Sequence, residues 1–64
     1  MDSYTPELVK LLRASGCHHL RAGKGDHAIW YSPITGQPFV LDNKIKSRHT
    51  ANAVLKQAGL PKAF

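Results

Sequence analysis

A chain of 64 residues makes one small domain, whose core rarely supplies more than roughly 3–5 kcal/mol, and its single cysteine, Cys17, leaves no internal disulfide to reinforce it. No run is apolar and long enough for a signal peptide or a membrane span, so a cytoplasmic setting is expected. Nine Lys and Arg against four Asp and Glu give a formal charge of +5, which makes a polyanion the first partner to consider, ahead of an acidic protein.

No linker, repeat or low-complexity stretch interrupts residues 1–64, so they read as a single domain. Thr5-Pro6-Glu7 predicts a helix start: Thr5 suits the N-cap, Pro6 the first helical position, and Glu7 the positive end of the dipole. Leu8, Leu11 and Leu12 form its apolar stripe, and Gly16 can take the left-handed conformation that stops it. Cys17 to Ala22 reads as a short strand and His27 to Ser32 as a second. Pro33-Ile34-Thr35-Gly36 is a hairpin turn, and Gln37 to Leu41 a third strand with Pro38 near its start. Asp42 to Lys46 is polar apart from Ile45. Ser47 is an N-cap candidate for a closing helix, in which Ala51, Val54, Leu55 and Ala58 share one face. Gly59 ends that helix, Leu60 falls where a Schellman motif makes its apolar contact, and Pro61 blocks continuation.

The expected fold is α+β, in the order α-β-β-β-α. A three-stranded antiparallel sheet carries both helices on one face, and its other face is open to solvent or a partner. Alternation along the second strand puts His27, Ile29 and Tyr31 on one side and Ala28, Trp30 and Ser32 on the other. With Trp30 as core anchor, His27 lies on the open face. With Ile29 and Tyr31 in the core, His27 becomes a strand-edge residue with a structural partner. Alternation alone leaves both open.

Two stretches carry chemistry. In Gly23-Lys24-Gly25-Asp26-His27, the glycines leave backbone N–H groups unshielded and Lys24 adds charge, so a phosphate can approach. His27 there can exchange a proton near neutral pH. An ordinary hairpin connection has the same composition. Lys44-Ile45-Lys46-Ser47-Arg48-His49 gathers cations at the start of the last helix, where Lys46, Ser47 and Arg48 can clamp a phosphate backbone or form a merely solvated face. His49 is a possible second proton-transfer group or an exposed residue. Cys17, His18, His19, His27 and His49 lack zinc-type ligand spacing, so no metal or other cofactor is expected. Nucleophile-elbow, Walker and dinucleotide patterns are also missing.

Taken together, the Leu8, Leu11 and Leu12 helix ending at Gly16-Cys17, the Gly25-Asp26-His27 turn, the aromatic Trp30 and the closing Leu55-Lys56-Gln57-Ala58-Gly59-Leu60 resemble the HicA-type toxins of bacterial and archaeal toxin-antitoxin systems. These are small RNA endonucleases with a fold similar to the double-stranded RNA-binding domain. The resemblance runs over nearly the whole chain, with the closing segment its most specific part. It implies that His27 is the catalytic residue. Where many members carry a second histidine, this chain has Ala28, so a histidine pair is not available.

The resemblance further implies a toxin that cleaves messenger RNA and is held inactive by a HicB-type antitoxin covering the active face. A metal-independent route follows from the residues: His27 deprotonates a ribose 2′-OH, Lys24 and the Gly25 N–H stabilise the phosphoryl oxygens, and Lys46, Ser47 and Arg48 hold the flanking backbone. The leaving-group acid is open among His27 itself, His49, Tyr31 and water. The alternatives are a non-catalytic RNA-binding module of the same fold, which needs no histidine, and a protein-interaction domain that binds only an acidic partner.

Overall fold

The computed structural model describes residues 3–64. Its elements are α1 (Thr5–Ala14), β1 (His18–Ala22), β2 (His27–Ser32), β3 (Gln37–Asp42) and α2 (Arg48–Gln57). The strands form one antiparallel sheet in the order β1-β2-β3. The α-β-β-β-α order is the one expected, with small shifts at the boundaries. β1 begins one residue later than Cys17, because Cys17 is occupied in ending α1, and β3 runs one residue further, to Asp42.

Both helices stop by the same device. After α1, Gly16 takes φ +91°, its N–H donates to Arg13 O, and the Cys17 N–H donates to Leu12 O. After α2, Gly59 takes φ +85°, its N–H donates to Lys56 O, and the Leu60 N–H donates to Leu55 O. These are paired Schellman bonds, and each places an apolar residue, Cys17 or Leu60, back against the core.

The start of α1 departs from expectation. Tyr4, not Thr5, holds the N-cap position, no side chain caps it, and Thr5 is already helical. The Thr5 hydroxyl has other partners: it donates to Asp42 O at 3.3 Å and accepts from the Ile45 N–H at 3.0 Å. The Tyr4 N–H donates to Ile45 O at 2.7 Å. Ile45, alone in a polar run, is buried and pins the β3–α2 loop beneath α1. Ser47 does hold the N-cap position of α2, though without a side-chain capping bond.

Trp30 decides which way the sheet faces. It is buried with Ala28 and Ser32 on the side that packs against Leu8, Leu12, Ala51, Val54 and Leu55, together with Phe39 and Leu41 of β3. The small side chains of Ala28 and Ser32 let the helices approach the strand while the indole fills the space between them. The Arg13 guanidinium lies 5.1 Å from the Trp30 ring centre and closes its outer edge. His27, Ile29 and Tyr31 are therefore turned to the bare face. A register irregularity in β1 between His19 and Arg21 sets Leu20 beside Arg21 there, opposite Ile29.

Candidate active site

His27 is the first residue of β2 and pairs directly with Asp42, the last residue of β3. The register is dictated by the Pro33–Gly36 turn, which joins Ser32 to Gln37 and so carries the pairing back to His27 and Asp42. The His27 side chain is 50% exposed, and its Nε2 lies 3.7 Å from Asp42 Oδ2. The other carboxylate oxygen, Oδ1, accepts the Lys44 N–H at 2.9 Å. That bond fixes the carboxylate, so its free oxygen faces the imidazole from across the ladder.

Two loops bracket this pair. On one side the β1–β2 turn is closed by the Gly23 N–H donating to His27 O and the His27 N–H donating to Lys24 O. At Gly23 an added Cβ would crowd His27 O at 3.1 Å, so this position allows the close return of the chain. Gly25 takes φ +64° in the left-handed region, and a Cβ there would meet nothing, so its backbone is open to an approaching group. On the other side the β3–α2 loop leaves from Asp42. The Asn43 N–H donates to Asp26 O at 3.0 Å and joins the two loops.

This junction brings the Lys24 turn and the Lys44–Lys46 segment to the same end of the sheet. Because Ile45 points into the core, its neighbours Lys44 and Lys46 stand on the solvent side, followed by exposed Ser47 and Arg48 at the start of α2. The backbone N–H groups of that helix start add partial positive charge. Chemically, the arrangement is an accessible imidazole with a carboxylate behind it and anion-attracting loops on both sides. Such a set can exchange a proton beside a bound phosphate.

A family model described as "HicA toxin of bacterial toxin-antitoxin" matches residues 5–60. This chain belongs to the HicA toxin family. No match is found among curated proteins or among solved structures. HicA toxins are known as mRNA interferases, and membership in a toxin-antitoxin family implies an antitoxin partner.

The matched span runs from the first residue of α1 to the residue that closes the Schellman motif of α2, so it holds every candidate site residue of this HicA toxin. Those residues do not all converge. Tyr31 shares the open face with His27 but lies four residues along β2, about 13 Å away at the usual strand rise. His49 is exposed in the first turn of α2 and lines a groove with Asn52, Lys56 and Lys62 that includes none of the residues around His27. Among the described residues no group of three or more His, Cys, Asp or Glu is gathered as a metal site, and no helix is long and apolar enough to cross a membrane. Asp42 is the site residue that reading the sequence missed, because ending the third strand at Leu41 left His27 without a cross-strand partner.

Proposed function

We propose that this HicA toxin is an RNA endonuclease that cuts through the ribose 2′-OH, with His27 as the catalytic residue. Neutral His27 takes the 2′-OH proton, and the oxygen attacks the adjacent phosphorus. The P–O5′ bond breaks, leaving a 2′,3′-cyclic phosphate and a 5′-hydroxyl protonated by His27 or by water. Tyr31 is too far along the strand to share that bond. Lys24 and the Gly25 N–H stabilise charge on the phosphoryl oxygens, and Lys46, Ser47 and Arg48 hold the flanking backbone. Asp42 is a positioning residue: its carboxylate orients the imidazole and balances the imidazolium formed during the transfer.

The observation that carries this reading is the half-exposed His27 ring at the open end of the sheet, flanked by the loop that carries Lys24 and the loop that carries Lys44 and Lys46. A HicB-type antitoxin would neutralise the toxin by covering that face, where Leu20 and Val40 are each 48% exposed and need a partner more than water. The test is His27→Ala. The variant is expected to fold with unchanged stability and to lose RNA cleavage. Wild-type protein that binds RNA but never cuts it, in any buffer, would instead identify a non-catalytic binding module.

A further inference from the structure

The bare sheet face carries a second feature that proton transfer does not use. His18 of β1 and Tyr31 of β2 are direct cross-strand partners, with ring centres 5.5 Å apart and planes inclined by 38°. Pro38, exposed on β3, flanks Tyr31 from the other side. Both helices lie against the opposite face and leave these rings uncovered by a helix, His18 exposed and Tyr31 half-buried. Between them and His27 runs a strip of Leu20, Ile29 and Val40 edged by Arg21. The strip is apolar, Arg21 lies along it, and it leads to His27 and Asp42 at the candidate active site.

Flat apolar surface beside a cation suits a nucleotide, whose base has a π-face and whose phosphate is anionic. The separation also fits: Tyr31 stands about 13 Å from His27, roughly two nucleotides of an extended single strand. We propose that Tyr31 and His18 form a stacking platform for one unpaired RNA base, roughly two nucleotides from the bond cut at His27, with the strand lying along β2 over Ile29. The proposal rests on the reading that RNA is cut at His27, and it narrows the substrate to single-stranded RNA. A base locked in a duplex cannot lie flat on a sheet.

Binding is measured by titrating a short labelled single-stranded RNA with His27→Ala protein, so that cleavage does not interfere. Adding Tyr31→Leu is expected to weaken Kd by about tenfold or more, whereas Tyr31→Phe and Tyr31→Trp, which keep a ring, restore most of the loss. A duplex of the same sequence is expected to bind less tightly than the single strand. With the His27-bearing enzyme, the Tyr31→Leu loss is expected in KM rather than in kcat, as a binding subsite requires.

Abasic substitutions scanned along the RNA should reveal one position, roughly two nucleotides from the cut, whose loss weakens binding to the His27→Ala protein about as much as adding Tyr31→Leu does and adds nothing to that double variant. If Tyr31→Leu does not fold, the abasic scan on the His27→Ala protein decides alone. A folded Tyr31→Leu with Kd within twofold of its parent, or a scan with no sensitive position, overturns the platform and leaves the nuclease reading standing. Wild-type protein that cuts no RNA overturns the nuclease reading, and the titration still judges the platform.

Discussion

Replacing Gly59 by alanine tests the tight packing between the end of α2 and the β2–β3 turn. Gly59 has φ +85°, where an L side chain costs about 1–2 kcal/mol, partly offset by about 0.4–1 kcal/mol because alanine restricts the unfolded chain. The new methyl would sit 2.8 Å from Ile34 Cγ2 and 2.9 Å from Thr35 Cγ2, closer than real Cβ contacts come, which adds an overpacking cost of about 1–3 kcal/mol. The sum spans about 1–5 kcal/mol and centres on about 3 kcal/mol, comparable to what a domain this small can supply. Gly25→Ala is the internal control. It has φ +64° and no atom near the added Cβ, so it should lose at most about 1.6 kcal/mol and typically about 1 kcal/mol. Urea and thermal melts followed by circular dichroism measure both, and Gly59→Ala should lower Tm by about 10–30 °C. Equal losses for the two variants would show that the contact with Ile34 and Thr35 contributes nothing, and refute the packing argument.

Ser32 is fully buried: its hydroxyl donates to Ala58 O at 2.6 Å and accepts the Ile34 N–H at 3.2 Å, so Ser32→Ala should cost about 1–3 kcal/mol in the same melts. If Lys46 and Arg48 hold the RNA backbone, replacing either by alanine should weaken RNA binding similarly across sequences. Each replacement should also lower the magnitude of the slope of log Kd against log salt by about 0.7. Unchanged slopes would move the phosphate contacts elsewhere.

Much of this architecture can be read from the chain because its punctuation is strong. Gly16 and Gly59 each stand two residues past the last residue of a helix, just after the C-cap, with an apolar residue next, which is the local signature of a Schellman ending. The turn at Pro33–Gly36 fixes the β2–β3 register, and carrying that register back from Ser32 and Gln37 would have reached the His27–Asp42 pair. Asp42 was lost only because a charged residue reads as the end of a strand. The orientation of β2 is harder, since Ile29 and Tyr31 are as apolar as their neighbours. Small Ala28 and Ser32 beside Trp30 settle it, and their significance emerges only once two helices must fit against that face.

Thr5 shows the reverse error: a good N-cap residue is used one position later, because its hydroxyl finds stronger tertiary partners at Asp42 and Ile45. The irregularity at Leu20 carries no glycine or proline to announce it. Of the candidate site, His27, Lys24, Gly25 and the Lys46–Arg48 stretch lie along two loops that the Asn43–Asp26 bond joins, a contact too distant in sequence to be inferred from spacing.

In the proposed reaction the attacking oxygen belongs to the RNA and is deprotonated by His27. A single-stranded RNA carrying one 2′-deoxy nucleotide at the cleaved position tests it most directly, alongside the all-ribose strand and in the presence of EDTA. The all-ribose strand is expected to be cut to a 2′,3′-cyclic phosphate by wild-type protein and left whole by His27→Ala, and the deoxy position to resist both. Cleavage at the deoxy position, or cutting by His27→Ala at the wild-type rate, would contradict it.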